Sequence, residues 1–243
     1  MKLNTREWGS GDRVALLVHG IMSDSRTWRR VGPALAERGY RAIAVDLRGH
    51  GASARAEEYT PASYADDLAE TLPQGAELAL GHSLGGMALA GAVGRLLPQR
   101  AVFSDPAWTL GRSSTHRSET DRSEPDFDPA VFVQFAAQAD HDTVAAMNPR
   151  WQEADVQVEL ETVAVWDRNT ALALSGPAEQ ATLPDRPVVP SLVQLADPSF
   201  LISSADAETL RDRGFEVRTV AGAGHTIHRD DFNGFINSLE GWI

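Results

Sequence analysis

Gly81-His82-Ser83-Leu84-Gly85-Gly86 is the stretch on which the reading of this chain turns. The apolar run Glu77-Leu78-Ala79-Leu80 before it reads as a buried strand, and Leu84–Leu97 after it reads as a helix stopped by Pro98. A Gly-x-Ser-x-Gly segment between a strand and a helix makes a turn so tight that side chains flanking the serine would strike the neighbouring elements. The turn lifts the Ser83 hydroxyl above the strand ends. It also leaves the Leu84 N–H at a helix N-terminus, where a developing negative charge is stabilised.

The same alternation extends outward in both directions. Lys2–Trp8 and Arg13–Val18 read as strands around Gly9-Ser10-Gly11-Asp12, Trp28–Arg38 as a helix ended by Gly39, and Arg41–Val45 as a strand. Pro61 to about Glu70 reads as a helix and Arg100–Phe103 as a strand. After an interruption, Leu192–Ala196, Ala205–Arg213, Phe215–Val220 and Asp230–Trp242 continue as strand, helix, strand, helix. Continuous apolar strands alternating with helices predict an α/β fold, with a mostly parallel sheet covered on both faces. The interruption carries no such rhythm. It opens with a polar stretch, Gly111 to Asp128, followed by helical patterns at Pro129–Ala139, Asp142–Trp151 and Val158–Leu174. We therefore expect a core domain from 1–109 and 188–243, with 110–187 inserted as a helical cap.

Length and composition agree with this division. The chain has 243 residues, of which 42% are hydrophobic and 23% charged, enough for one large packed core. It has no cysteine, which excludes disulfides, thiolate metal sites and thiol nucleophiles. The net charge is −12, so the basic footprint of a nucleic-acid binder is absent. Between Leu110 and Pro187 there are 14 Asp and Glu against 6 Lys and Arg, a net of −8, so most of the excess acid belongs to the insert. No apolar leader and no run of about 18 apolar residues is visible, and the expectation is a cytoplasmic protein, monomer or homodimer, that does not engage membranes.

A serine hydroxyl needs a base to take its proton. His225, in Ala221-Gly222-Ala223-Gly224-His225, follows the last predicted strand, at the edge where parallel sheets place their sites. His228 is the competitor and reads as packing or capping the next helix; a His-x-x-His metal pair lacks an evident third ligand, so no metal is expected. The base in turn needs a carboxylate to fix its tautomer. Asp197, after the strand Leu192–Ala196, is preferred over Asp105, which follows Phe103-Ser104 one strand earlier; both keep the order Ser, Asp, His. A second oxyanion donor is expected from Val18-His19-Gly20-Ile21-Met22, with the Ile21 N–H first and Met22 next.

With these pieces placed, the chain resembles the α/β-hydrolase superfamily, in its capped branch of serine esterases and lactonases. The matching segments are His19-Gly20, Asp46-Leu47-Arg48-Gly49-His50-Gly51-Ala52-Ser53, Gly81-His82-Ser83-Leu84-Gly85-Gly86 and Gly224-His225. The resemblance implies the α/β-hydrolase fold with a lid after the sixth of the usual eight strands, and hydrolysis through an acyl-enzyme without a cofactor. It makes His19, His50 and His82 supports of the motifs and not proton carriers. Relatives that open epoxides or dehalogenate alkanes usually present Asp at the elbow, so Ser83 points instead to esters, lactones, thioesters or the C–C bonds of diketones. The expected substrate is a small to medium, mostly apolar carboxylic ester or lactone, with a diketone C–C hydrolase, or a non-catalytic ligand-binding protein on the same fold, as alternatives. Phe132, Phe135, Met147, Trp151 and Trp166 in the insert, with Met22, Trp28 and Trp108, read as core between cap and sheet or as pocket wall; Met22, Trp28, Trp108, Met147 and Trp151 are the expected pocket residues.

Overall fold

The computed structural model describes residues 1–108, 128, 130–175 and 183–243. Among the described residues, seven strands form one sheet: β1 (Thr5–Trp8), β2 (Arg13–Val18), β3 (Tyr40–Val45), β4 (Leu78–His82), β5 (Arg100–Ser104), β6 (Ser191–Leu195) and β7 (Glu216–Thr219). Their order is β1-β3-β2-β4-β5-β6-β7, parallel throughout except for β1, which runs antiparallel along β3. The two N-terminal strands predicted around the Gly9–Asp12 turn are therefore not partners, because β3 lies between them.

The period of two along each strand divides the core into two layers. Leu16 and Val18 of β2, Ile43 and Val45 of β3, and Ala101 and Phe103 of β5 face one side. There they pack with Tyr64 and Leu68 of α2 (Pro61–Thr71), Leu89 and Val93 of α3 (Leu84–Leu96) and Leu210 of α7 (Ser204–Asp212). Ala15, Leu17, Leu80 and Val102 face the other side, against Val31 and Leu35 of α1 (Val31–Ala36), Ile227 of α8 (Ile227–Asp230) and Phe235 of α9 (Phe232–Asn237). Each fully buried leucine in these layers contributes roughly 1.5–3 kcal/mol of transfer free energy.

The helix ends follow local chemistry. Thr60 and Ser63 form a reciprocal capping box at the start of α2, with Pro61 in its first turn. The predicted terminal helix Asp230–Trp242 is instead two short helices. Asp231 leaves helical geometry at φ −141° and ψ 83°, and its carboxylate takes the Gly234 N–H as the cap of α9.

Between β5 and β6 the described residues form α4 (Ala130–Gln138), α5 (His141–Met147), α6 (Glu153–Val165) and a 3-10 segment at Arg168–Ser175. The first lies within its predicted stretch, the second starts one residue before the predicted Asp142, and the third starts earlier than the predicted Val158. The polar stretch Gly111 to Asp128 lies outside the described residues except for Asp128. α6 docks on the 3-10 turn Ser25–Trp28 mainly through charge. Asp155 takes two hydrogen-bonding contacts from Arg29, at 2.8 Å each, and Glu161 pairs with Arg26. Met22, meanwhile, packs against Val163, Trp166 and Ala171, with α4 residues around them.

Candidate active site

Ser83 stands at the crest between β4 and α3 with φ 52° and ψ −119°. A non-glycine residue in such a region costs on the order of 1–3 kcal/mol unless its surroundings hold it there. Here the Ser83 N–H donates to the Ser104 carbonyl at 3.1 Å, and the Ser83 carbonyl accepts from Gly86, Met87 and Ala107 at 2.9–3.1 Å. The glycines of the motif are required by space. A Cβ at position 81 would lie 2.5 Å from the Gly85 carbonyl oxygen, and one at position 85 would lie 2.3 Å from that of Val18. α3 thus starts directly against the end of β2, and Leu84, its first residue, has an N–H with no acceptor one turn back.

The loop after β2 comes to the same place. Gly20 approaches so closely that a Cβ there would lie 3.1 Å from the Ser83 Cβ and 2.9 Å from His82 Nδ1. His19 holds the loop. Its Nε2 accepts the Leu47 N–H at 2.9 Å, so Nδ1 carries the proton and donates to the Gly20 carbonyl at 2.6 Å. Burial pushes the His19 imidazole below its ordinary range, against the opposing charge of Asp46, and so favours this neutral form. Met22, two residues on, has φ 60°.

His225 follows β7, and its Nδ1 lies 2.6 Å from Oδ2 of Asp105. The carboxylate side chain is fully buried, whereas the imidazole is 25% exposed. Asp105 Oδ1 also accepts the Ala196 N–H at 3.3 Å. With Nδ1–H donated to a carboxylate, Nε2 is left as the proton acceptor. The preference for Asp197 is therefore corrected: Asp197 is exposed, and its Oδ2 takes the Gly222 N–H at 3.0 Å. The physical reason lies in strand order. β5 is the immediate neighbour of β4, and Asp105 kinks off its end at φ 41°, inside the sheet edge; β6 is one strand further away, and Asp197 caps the outer turn of the histidine loop.

The other histidines are braces. His82 Nε2 lies 3.0 Å from the His225 carbonyl and so donates to it. Burial, with His225 beside it, holds His82 well below the usual imidazole range. His228 stacks on Trp28 with ring centroids 4.4 Å apart, and its Nε2 lies 2.8 Å from Thr27 Oγ1. His50 is buried edge-on to His19 and is pushed down to about 3, first by burial and then by His19. Asp46 anchors the Asp46–Ser53 loop. Burial alone would raise its pKa, but N–H donors from Ala52 and Ser25 and the nearby His19 hold it below the ordinary carboxylate value.

The expected pocket residues separate. Met22 lies under the insert, next to the Gly20 loop. Trp28 belongs to the core beneath the sheet, fully buried, and Trp108 packs between Phe103 and Phe215. Met147 is corrected to a surface position, 62% exposed, because α5 turns it away from the core. Trp151 donates its indole N–H to Asp230 at 3.0 Å, two residues beyond His228. Asp230 escaped the sequence reading, as did Phe200, whose ring lies 4.8 Å from that of His225. Neither belongs to a motif, although Asp230 lies only five positions after His225 in the chain.

Among known proteins, the chain is 34% identical over 180 residues to an epoxide hydrolase of Caballeronia sordidicola, covering 70% of this chain and 51% of that protein. The chain thus spans about half the length of that relative. It is 25% identical over 252 residues to the 2-succinyl-6-hydroxy-2,4-cyclohexadiene-1-carboxylate synthase of Serratia proteamaculans, covering 97% and 95% of the two chains. An esterase from Exiguobacterium antarcticum shares the fold with a TM-score of 0.75 at 18% identity, over 99% of this chain and 94% of that one. The family model described as alpha/beta hydrolase family matches residues 15–236. The strained serine between β4 and α3, the sheet order and this match lead to one conclusion: the chain belongs to the alpha/beta hydrolase family.

Proposed function

We propose that this hydrolase cleaves a small to medium, mostly apolar carboxylic ester or lactone through a serine acyl-enzyme. The observation that carries the reading is the 2.6 Å contact of His225 with buried Asp105, on the strand next to the one that ends in Ser83. Ser83 Oγ attacks the ester carbonyl carbon while His225 Nε2 takes the hydroxyl proton. The charge that forms on the carbonyl oxygen is met by the Leu84 and Ile21 N–H groups, each such donor contributing roughly 3–4 kcal/mol. Collapse expels the alkoxide, which leaves with the proton from His225. Water, losing a proton to the same nitrogen, then attacks the acyl carbon and restores Ser83 as the acid departs. Asp105 remains ionised and keeps the imidazole in the tautomer that accepts at Nε2.

Residues 110–187 serve in this reading as a lid over Ser83. Supporting it, Val163 and Trp166 pack on Met22, beside the oxyanion loop. The serine at the elbow separates the chain from epoxide chemistry, where a carboxylate nucleophile must form the ester intermediate. Hydrolysis of p-nitrophenyl butyrate by the wild type and by Ser83→Ala tests the proposal. Turnover in the wild type that is lost in the variant, together with labelling of Ser83 by a fluorophosphonate, supports it. Equal turnover by pure Ser83→Ala overturns it.

A further inference from the structure

Resting on the reading of His225 as the base, we infer that the insert positions that base: Trp151 and Glu159 grip the two residues, Asp230 and Arg229, that end the short helix directly following His225. α8 spans only Ile227–Asp230, too short to hold itself. Its last two side chains are instead held from outside. Arg229 is buried; its Nη1 donates to Glu159 Oε2 at 2.6 Å, its Nε to Thr27 Oγ1 at 3.0 Å, and its guanidinium lies 4.5 Å above the Trp151 ring. Asp230 takes the Trp151 indole N–H at 3.0 Å and presses back on the base loop, so that a Cβ on Gly224 would lie 2.7 Å from its Oδ2. Gly224 immediately precedes His225. A path of direct contacts therefore runs from Trp151 through Asp230 to the residue before the base.

The charged and titratable groups facing His225 are Asp105 from β5, His82 from β4, and His228 and Asp230 from α8, with Arg150 of the insert beside Asp230. Burial raises Asp230 above the ordinary carboxylate value, while Arg150, the Trp151 N–H and His225 oppose that rise.

Trp151 and Asp230 are thus positioning residues, and two variants of the full chain test them. Trp151→Phe keeps a ring for Arg229 but deletes the N–H; Asp230→Asn keeps an acceptor for Trp151 but deletes the charge. With p-nitrophenyl butyrate, Trp151→Phe is expected to lower kcat roughly 5- to 50-fold with KM within about twofold, as a displaced base does. Asp230→Asn, which sets an amide against the Gly224 turn, is expected to lower kcat in the same way with KM little changed. In proton–carbon NMR spectra the His225 Cε1–H resonance shifts in both variants. A lowered Tm, with the His225 resonance and the kcat of the folded protein both unchanged, would mean that these contacts only anchor the insert, and the inference would be wrong. A wild type without ester turnover, but with the His225 resonance responding to both variants, would overturn the esterase reading and leave the coupling standing.

Discussion

Replacing Asp105 by Asn should nearly silence the enzyme, whereas the same change at Asp197 should barely register. At position 105 the carboxylate has two donors, His225 Nδ1 at 2.6 Å and the Ala196 N–H at 3.3 Å, and no exposure to solvent. Asparagine offers one acceptor oxygen and one NH2 group. If its oxygen keeps the backbone N–H, its NH2 faces Nδ1, and the imidazole must place its proton on Nε2, where it blocks proton transfer from Ser83. If its oxygen faces Nδ1, the NH2 opposes the Ala196 N–H in a buried site, and the charge that stabilises imidazolium is gone in either case. A wrong tautomer costs about 10⁴ in kcat, equivalent to roughly 5.4 kcal/mol at 1.36 kcal/mol per tenfold. At Asp197 the asparagine oxygen can still accept the Gly222 N–H, and the position is exposed, so the expected change stays within about 0.5 kcal/mol. The assay is kcat for p-nitrophenyl butyrate, with the fold of each variant checked by circular dichroism. A crippled Asp197→Asn beside a nearly intact Asp105→Asn would refute the assignment and the geometry on which it rests.

Ser83→Ala should abolish turnover and preserve the fold, with a Tm close to that of the wild type, because alanine keeps the Cβ and the backbone hydrogen bonds that hold position 83 at φ 52°; a large drop in Tm would contradict this. Gly85→Ala should lower stability by at least 1–3 kcal/mol, or roughly 2–12 °C in Tm, because the new methyl would meet the Val18 carbonyl oxygen at 2.3 Å; a thermal scan matching the wild type would contradict the close packing of α3 on β2. Stability should also fall with acid between about pH 6.5 and 5. His19, His50, His82 and His228 are all buried with pKa values pushed down, first by desolvation, so the unfolded chain binds protons that the folded chain refuses. The stabilisation is complete above the unfolded value near 6.5 and is lost as pH falls below it, by up to about 1.4 kcal/mol per pH unit for each histidine. Urea titrations giving the same unfolding free energy at pH 7 and pH 5.5 would show that these rings are not held neutral.

α6 shows why part of the insert resisted a reading from pattern. Its buried positions include Asp155, Glu159 and Thr162 beside Val156 and Val163, so no clean apolar stripe marks its face. The helix docks by pairing with Arg26, Arg29 and Arg229, residues far away in the chain. Removing one partner of the buried Arg229–Glu159 pair leaves a charge unpaired out of water, so the contact specifies where the helix docks more than it adds net stability. Such pairing cannot be seen before the partners meet.

Local rules were enough for much of this protein. The period of two in the strands, the Pro61 start of α2 and the steric need for glycine around Ser83 are properties of neighbouring residues, and they determined the α/β class, the serine turn and the place of His225 after the last strand. Strand order is not local. It is set by which apolar faces bury against which helices, and it put β3 between β1 and β2 and β5 next to β4. From that order followed the partner of His225: two aspartates each end a strand in the right sequence order, but only Asp105 ends the strand adjacent to Ser83's own, where its side chain is dry and within 2.6 Å of the imidazole. The same holds for Trp151 and Asp230, 79 residues apart, whose contact exists only once the insert has folded back over the sheet.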